Sequence, residues 1–385
     1  MASDDKNPGG KMRILHITES SGGVQTFLSS FLRFRDRTRF SHAIMAPPDS
    51  AVYRGASGIF DAVYPLPMKR EISPLKDFGA IFRLAGFLKE NRFDIIHVHS
   101  SKAGFIGRAG ARFGGHRRVV FQPHGFSFLL FEGRMAKLAT AWERFAGRRL
   151  TSLLVATSPS EADRARNAGI PASKVVVIPN GVDCDRLQVI ANRKSETDDT
   201  GFVLMIARLM RSKNPMMFAR VANIVTKRKP SSKFVLIGAG FHDEFQDEMN
   251  DYIRKNSLGK GLTVLPWMEY EKMLDYVKRC AVYVSTSVSE SFGYAVVESM
   301  FLGKPVVGTL IDGTRDIVVP DETGLLVEPN DDEVMAERVL HLLESRMLRE
   351  VYGAIGRKRA VELYDAGKNI TLLENLYQGL MSSRP

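Results

Sequence analysis

Short apolar segments of strand length alternate with longer amphipathic segments along the chain. In the first half, strand-like segments cover 12–18, 41–46, 95–99, 117–122, 152–157 and 174–179, and helical patterns cover 74–91, 134–149 and 159–168. Nearly continuous apolar strands that alternate with helices indicate a parallel sheet covered on both faces. The first half therefore predicts an α/β domain of the doubly wound, Rossmann-like kind.

The same alternation restarts near residue 202. Strand-like segments cover 202–207, 233–238, 262–266, 281–287 and 304–309, and a final helical pattern covers 368–380. We predict a disordered tail at 1–11, an N-terminal domain at 12–188, a polar linker at 189–201, a C-terminal domain at 202–367, and a last segment at 368–385 that could pack back on the first domain. Two doubly wound domains that face each other across a cleft are the predicted architecture.

The net charge of +11 is confined to the first half of the chain. Residues 1–190 contain 28 Lys and Arg against 16 Asp and Glu, whereas residues 191–385 contain 26 against 27. Such polarity favours an anionic partner for the first half, either nucleic acid, an acidic membrane face or a phosphorylated ligand. A basic surface that only aids solubility is the alternative.

Cysteine content and hydropathy indicate the compartment. Cys184 and Cys280 form neither a disulfide framework nor a zinc pattern. No apolar run approaches the roughly 18 residues that a membrane-spanning helix needs. We therefore expect a cytoplasmic protein.

Two cations follow the first strand of the second half. Arg208 comes directly after 202–207, and Lys213 precedes Asn214-Pro215, where a proline at a first helical position predicts a helix start. Two cations beside a helix N-terminus suit a diphosphate, although exposed basic residues on a loop are a simpler interpretation.

Glycines also follow predicted strands, at Gly22-Gly23 and at Gly238 and Gly240. They would let the backbone approach a ligand, or they could be bare connections. Asp243 stands where a dinucleotide fingerprint needs a third glycine, and neither half contains a P-loop pattern. A nicotinamide oxidoreductase is therefore disfavoured, and a simple P-loop NTPase is excluded.

The segment 289–307 places Glu298 among apolar residues of a short predicted helix, eight positions after Glu290. An unpaired buried carboxylate costs several kcal/mol, so Glu298 needs a partner. Gly293 predicts a permissive turn, and the amides of 292–295 would be the free donors of a helix start. Such amides suit a phosphate, Glu298 would accept from a ribose diol, and Glu290 from a sugar; pairing of Glu298 with a neighbouring Arg or Lys is the alternative.

These segments together resemble the GT-B retaining glycosyltransferases of family four (glycosyl transferases group 1). The resemblance covers nearly the whole chain. It rests on Glu290 and Glu298 with the following GKPVV, on ARLMRSKN (207–214), on LIGAG (236–240), on PNGVD (179–183) and on GGVQTF (22–27). The string HVHSSKAGFIGRAGARFGG, followed by HGFSF, is similar to the bacterial branch that builds capsule, exopolysaccharide and O-antigen chains.

The resemblance implies that a nucleotide-sugar, with UDP-sugar expected, binds mainly to the second domain, and that its sugar passes with retention to a saccharide acceptor on the first. Arg208 and Lys213 would neutralise the leaving diphosphate, with His124 and Glu290 at the reacting sugar. The residues implied to bind the donor are Gly22, Gly23, Gly238, Gly240, Met268, Ser291, Phe292, Gly293, Tyr294, Ala295 and Glu298. No metal and no cofactor are expected.

His97 and His99 point to one face of a strand, and Lys102 follows, so these three are the candidates for acceptor binding. As metal ligands, the two histidines lack a third partner nearby in the sequence. Asp183-Cys184-Asp185 resembles the D-x-D metal site of the other glycosyltransferase fold, but it follows a predicted turn and we do not expect it to be functional. The basic amphipathic helix at 134–149 could lie on an anionic membrane, or be a plain surface helix.

Two alternatives remain open from the sequence. A sugar-nucleotide epimerase of the same two-domain fold would use the donor site without an acceptor. A non-enzymatic nucleic-acid binder would explain the positive charge, but the basic residues are not interleaved with aromatic ones as such a groove requires. We expect an acceptor linked to a polyprenyl diphosphate at the inner face of the cytoplasmic membrane, possible contact with anionic lipid, and no nucleic-acid partner.

Overall fold

Two separate parallel sheets organise the chain in the computed structural model, which describes residues 10–19, 22–69, 71–129, 131–193, 201–240 and 245–382. One compact unit comprises Met1–Gly181 with Ala366–Pro385, and the other comprises Val182–Asp365. The prediction of two doubly wound α/β domains is confirmed.

The first unit contains seven strands among its described residues, in the order β3-β2-β1-β4-β5-β6-β7, all parallel. The strands are β1 (Met12–Ile17), β2 (Phe40–Ala46), β3 (Ala62–Pro65), β4 (Ile95–His99), β5 (Val119–Gln122), β6 (Leu153–Ala156) and β7 (Val175–Val177). The helices are α1 (Gly23–Phe34), α2 (Ala51–Gly55), α3 (Pro74–Glu90), α4 (Ser101–Phe113), α5 (Gly133–Arg149) and α6 (Pro159–Asn167).

The second unit contains six strands among its described residues, in the order β10-β9-β8-β11-β12-β13, also all parallel. They are β8 (Phe202–Ile206), β9 (Lys233–Ala239), β10 (Leu262–Pro266), β11 (Val282–Ser285), β12 (Val306–Thr309) and β13 (Gly324–Val327). Its helices are α7 (Cys184–Asn192), α8 (Pro215–Arg228), α9 (Gln246–Lys255), α10 (Tyr270–Arg279), α11 (Tyr294–Phe301), α12 (Thr314–Ile317), α13 (Asp332–Glu344) and α14 (Arg346–Leu363). The last helix, α15 (Ala366–Ser382), belongs to the first unit.

The units divide earlier than the expected domain end at residue 188. Val182 already belongs to the second unit, because its N–H donates to Tyr364 O at 2.8 Å and its side chain lies in that unit's core. Residues 189–192 of the expected linker form the end of α7, and 194–200 lie outside the described residues. Of the expected tail, 1–9 also lie outside them.

Alternate residues of β1 enter different cores, as a strand buried on both faces requires. Leu15 and Ile17 pack in the core that α3 and α4 cover, whereas Ile14 packs in the core that α1 and α15 cover. His16 shares the face of Ile14. The face beneath α1 and α15 is therefore where polar side chains of β1 and its neighbours meet.

In each sheet the strand order reverses between two adjacent strands, at β1 and β4 in the first unit and at β8 and β11 in the second. Ligands of open parallel sheets bind beyond the carboxyl ends of the strands at such a reversal. The residues predicted at 208–213 and 290–298 follow β8 and β11, and those at 97–102 lie at the end of β4. Topology thus places both sets at the reversal of their own sheet.

Candidate functional site

The loops that follow β8 and β11 are tied to each other. The Thr286 hydroxyl donates to the carbonyl oxygens of Lys213 and Asn214, at 2.9 Å each. These bonds bring Lys213 beside Glu290, and the two side chains form a half-buried ion pair although they are 77 residues apart. The structure therefore joins two of the predicted catalytic residues.

Both predicted cations lie in the connection between β8 and α8. Arg208 is half-buried, close after the strand. Pro215 is the first residue of α8, and the Asn214 side chain caps the helix by accepting from Met217 N at 3.4 Å. The predicted helix start at Asn214-Pro215 is confirmed.

Glu298 is held by a neutral donor. It lies on α11, about one turn from the helix start, and the Tyr270 hydroxyl donates to its carboxylate at 2.6 Å. Burial raises the pKa of Glu298 from 4.5 to about 6, against the opposing effects of the Tyr270 hydrogen bond and the Arg186 charge. The Arg186 guanidinium lies over the Tyr270 ring at 4.6 Å, and within the described part of the chain no Arg or Lys forms an ion pair with this carboxylate.

The start of α11 differs from expectation in its glycine. Gly293 has φ −85°, which any residue adopts, so the expected permissive turn is wrong. A Cβ at this position would lie 3.2 Å from Val296 Cγ2, which is a tight contact with a side chain. Beside it, the Tyr294 hydroxyl is buried and has no hydrogen-bond partner among the described residues.

Both carboxylates lie close enough to Tyr294 to act on it. Burial, and then the charges of Glu298 and Glu290, raise the pKa of the Tyr294 phenol. Its ring packs edge-on against Phe292, with ring centroids 4.9 Å apart. Ser291 and Ala295 flank these aromatics and are half-buried. The predicted residues 290–298 therefore form one cluster around the start of α11.

The other residues predicted to bind the donor are held by the fold. A Cβ on Gly238 would lie 1.8 Å from Ala207 O, so this glycine is required by the contact between β9 and the end of β8. Gly240 follows with φ +79°, and Met268 packs half-buried on the same core as Phe292. In the first unit, Gly22 has φ +78° and immediately precedes α1, which begins at Gly23.

Sequence reasoning missed two supports of this cluster. Tyr270 lies 28 residues from Glu298, on α10, and nothing in the local pattern links them. Gly313 has φ +64°, and a Cβ there would lie 2.6 Å from Glu290 O, so it lets the loop after β12 pass under Glu290. The signal in the sequence that could have found Gly313 is its place after a predicted strand, which is also the signal that identified Gly238 and Gly240.

A cluster of histidines lies at the reversal of the first sheet, on the face beneath α1 and α15. His16 on β1 contacts His42 on β2 and His99 on β4: His16 Nε2 lies 3.1 Å from His42 Nδ1, and His16 Nδ1 lies 3.0 Å from His99 Nε2. His99 Nδ1 in turn lies 3.2 Å from Nε2 of His124, in the loop after β5. Separately, His97 Nδ1 lies 2.6 Å from the Tyr377 hydroxyl on α15.

These rings are neutral near pH 7. Burial lowers the pKa of His16 and of His124 to about 3, and it lowers the pKa values of the other three well below the ordinary value. His97 and His99 are fully buried, so neither touches an acceptor in this conformation, contrary to our expectation of direct contact. Lys102 is largely buried as well and forms an ion pair with Asp77 at 2.5 Å.

The structure supplies the third metal-ligating group that the sequence lacked. One ring nitrogen from each of His16, His97 and His99 lies within 4.8 Å of the others. Three histidine nitrogens are a known zinc ligand set. Here, however, the described group contains no carboxylate, and the Arg35 guanidinium acts on His16 with a positive charge. Neutral rings that share protons through hydrogen bonds fit this cluster better than a bound zinc ion does.

The backbone at His124 is in an uncommon conformation. Its φ is +50°, in the left-handed region that few non-glycine residues adopt. Glu161, on α6, holds the loop by accepting from Gly125 N and from Thr157 N, each at 2.6 Å. Glu161 is a further residue that sequence reasoning missed.

The segment Asp183-Cys184-Asp185 begins the helix α7. The Asp183 side chain accepts from Arg186 N at 3.0 Å and caps α7.

Among the described residues, no helix combines the length and the apolar character needed to cross a membrane.

Family models and named relatives match both units. The model for Glycosyltransferase Family 4 matches residues 21–186, and the model for Glycosyl transferases group 1 matches 189–359. An Escherichia coli protein named UDP-Gal:alpha-D-GlcNAc-diphosphoundecaprenol alpha-1,3-galactosyltransferase is 29% identical over 80% of this chain and 81% of its own length. The Staphylococcus aureus capsular polysaccharide biosynthesis glycosyltransferase CapM is 22% identical over 81% of this chain and 83% of its own length.

Solved structures share the fold along nearly the whole chain. A glycosyltransferase from Rickettsia africae has a TM-score of 0.79 at 18% identity and covers 97% of this chain and all of its own. Anabaena HepE, solved in complex with UDP and glucose, has a TM-score of 0.77 at 19% identity and covers 96% of this chain and all of its own. Because two adjoining models account for both units and the fold agrees throughout, this chain belongs to the GT-B glycosyltransferases of family four, glycosyl transferases group 1.

Proposed function

We propose that the enzyme transfers a sugar from a UDP-sugar to a saccharide acceptor, with retention of anomeric configuration and without a metal or other cofactor. The observation that carries this proposal is the cluster around the start of α11. There the Lys213–Glu290 pair, Glu298 and the unpartnered Tyr294 hydroxyl surround one helix N-terminus. Anion-binding amides, a cation and carboxylates that accept from hydroxyls are together the groups that a sugar nucleotide requires.

Each group has a part in the proposed transfer. The donor diphosphate lies at the amides of α11 and draws Lys213 away from Glu290, which then accepts from hydroxyls of the donor sugar. Arg208 and Lys213 neutralise the negative charge that develops on the leaving diphosphate, and they supply the positive charge that a bound metal ion would otherwise provide. Glu298, held by Tyr270, accepts from the ribose diol.

The names of the relatives support the donor and the acceptor that we propose. Anabaena HepE was solved with UDP and glucose, and the E. coli relative is named for a UDP-sugar and a diphosphoundecaprenol-linked acceptor. We infer that the acceptor here is also a saccharide on a polyprenyl diphosphate, in the synthesis of a bacterial surface polysaccharide such as capsule, exopolysaccharide or O-antigen. Its diphosphate is the anionic partner that the positive first half favours.

Such an acceptor places the enzyme at the cytoplasmic face of the membrane, and α3 and α4 offer the surface for it. Leu75, Phe78 and Phe82 on α3 are 88%, 56% and 65% exposed, and the Phe82 ring stacks on exposed Phe113 at 6.1 Å. Exposed basic side chains at 76 and 83 lie on the same helix. Apolar rings beside cations suit an anionic lipid surface. The helix α5, predicted for this contact, also exposes Leu138 and Phe145, but with less aromatic area.

The test of the transfer is release of UDP from a panel of UDP-sugars, with and without lipid-linked acceptors. We expect release only with an acceptor, and a product with the donor's anomeric configuration by NMR. An epimerase would convert the sugar nucleotide without releasing UDP, and inversion in the product would refute retention. Chelator should not reduce the rate.

The membrane contact is tested with vesicles of neutral lipid and of neutral plus anionic lipid. We expect salt-sensitive binding to the anionic vesicles that Phe78→Ser with Phe82→Ser abolishes. Met347→Ser is the matched control, because Met347 is 70% exposed on the second unit. Equal binding by both variants would refute the assignment of α3 to the membrane-binding surface.

We expect no nucleic-acid partner, and RNA binding as tight as UDP binding would contradict this.

A further inference from the structure

Four histidines of the first unit form a continuous chain of hydrogen bonds, and the family resemblance implies a place at the reacting sugar only for the last of them, His124. The order is His42, His16, His99 and His124, and each contact joins Nδ1 of one ring to Nε2 of the next, at 3.1, 3.0 and 3.2 Å. His16 and His99 use both of their ring nitrogens in the chain. We propose that His42, His16 and His99 are positioning residues that decide which ring nitrogen of His124 carries the proton.

The proton count allows only two complete arrangements. A neutral imidazole has one N–H and one bare nitrogen. If the chain has all three bonds, every ring carries its proton on Nδ1, or every ring carries it on Nε2. A change from all Nδ1–H to all Nε2–H moves one proton along each hydrogen bond, releases the proton of His124 Nδ1 to solvent and takes one up from solvent at His42 Nε2, so every ring is neutral before and after.

The two ends of the chain decide between these arrangements. His42 Nε2 and His124 Nδ1 are both buried and have no hydrogen-bond partner among the described residues. One of the two must be an N–H without an acceptor, and such a buried donor costs more than a bare nitrogen. A ligand oxygen that accepts from His124 Nδ1 therefore selects the Nδ1–H arrangement in all four rings.

The location of the chain explains why it reaches His124. The rings of β2, β1 and β4 lie on adjacent strands of the sheet, and His124 follows the next strand, β5. The path thus crosses the sheet at the point where the strand order reverses. Only the catalytic consequence rests on the proposed function; the coupling of the rings does not.

The first experiment uses the wild-type chain with ¹⁵N-labelled histidine and NMR detection of the ring nitrogens. We expect His42, His16, His99 and His124 to be neutral and to share a single tautomer, or a single averaged population if the two arrangements interconvert. Different tautomers within the chain, or a charged ring, would overturn the proposal without any substitution.

The second experiment removes the far ring or replaces it with a group that can only accept. Phenylalanine at 42 leaves a shorter chain with two unpartnered ends, His16 Nε2 and His124 Nδ1, so in His42→Phe the three remaining rings should still share one tautomer, and a ligand oxygen at His124 should still select Nδ1–H. Aspartate at 42 places a carboxylate oxygen, which can only accept a hydrogen bond, where the ring Nδ1 was. His42→Asp should therefore drive His124 to Nε2–H. Tyr377→Phe is the control, because it removes a partner of His97 in the same cluster and should leave the His124 tautomer unchanged.

Kinetics separate this inference from the proposed transfer. We expect kcat of the two His42 variants to differ by about tenfold or more with similar KM, as a wrong histidine tautomer impairs catalysis, and kcat of Tyr377→Phe to stay near wild type. A His124 tautomer that does not respond to His42→Asp, or stoichiometric zinc bound by the cluster, would overturn the proposal. Absence of any turnover in wild type would instead count against the proposed function.

Discussion

Replacing Glu298 with glutamine should stabilise the second unit while weakening donor binding. Burial raises the pKa of Glu298 from 4.5 to about 6, and one pKa unit corresponds to about 1.4 kcal/mol, so ionising this carboxyl in the fold costs about 2 kcal/mol. Because the folded pKa lies above the unfolded one, this contribution is favourable below pH 4.5 and is lost as the pH rises through 6. Glutamine has no charge to bury and still accepts from the Tyr270 hydroxyl.

We therefore expect Glu298→Gln to exceed wild type by about 2 kcal/mol in free energy of unfolding at pH 7.5, with the difference vanishing near pH 4. UDP affinity should fall, because a charge-assisted hydrogen bond to the ribose contributes roughly 1.5–3 kcal/mol, which corresponds to roughly 10- to 150-fold in Kd. Urea unfolding at the two pH values and calorimetric titration with UDP measure the two effects. Glu322→Gln, at an exposed position of the same unit, is the control.

Two results would refute this reasoning. A variant that is no more stable than wild type at pH 7.5 would show that burial does not strain the carboxylate. Unchanged UDP affinity would show that Glu298 does not hold the donor, whatever its effect on stability. Wild-type UDP affinity should itself rise with pH through about 6 as the carboxyl ionises, which the same titrations check.

Three further predictions concern the second unit. Lys213→Ala should lower kcat/KM by about 10²- to 10³-fold in the UDP-release assay, and near-normal turnover would remove this cation from the site. Gly238→Ala should lower the free energy of unfolding in urea by about 3 kcal/mol or more, because the new Cβ would collide with Ala207 O. Gly240→Ala, where the space around the Cβ is open, should cost only about 1–2 kcal/mol. Equal effects of the two substitutions would contradict the close approach of Gly238 to Ala207 O. Asp183→Ala should lose a helix cap, about 1 kcal/mol by thermal unfolding, and keep its transferase activity, so loss of activity would revive a metal role.

The strands that sequence reasoning found lie in continuous apolar segments, and the two that it missed are edge strands. Its segments match β1, β2 and β4 to β12, because an interior strand of a parallel sheet must be apolar on both faces. Ala62–Pro65 and Gly324–Val327 are edge strands of four residues each. The first ends at Pro65 and the second begins at Gly324, and these turn-type residues make both segments resemble turns in the sequence.

The candidate site was predictable only where a local pattern marks its residues. Glu290 and Glu298 share a loop and a helix, so their spacing was informative. The Tyr270 hydroxyl on Glu298 and the close approach of Gly313 to Glu290 O involve other elements, and no local pattern reports them. For His97 and His99 the sequence showed a shared strand face but neither their full burial nor their third neighbour, His16.

The sequence by itself determined the two α/β units, the family, and the segments that carry the chemistry, because hydrophobic periodicity and short motifs are local properties. The tertiary structure decided which of those segments meet. The reversal of strand order places β8 beside β11, which joins Lys213 to Glu290, and it places β1 between β2 and β4, which joins the histidines of three strands. Contacts of this kind depend on which strands pair, and strand pairing is set by the packing of the whole sheet rather than by any one segment.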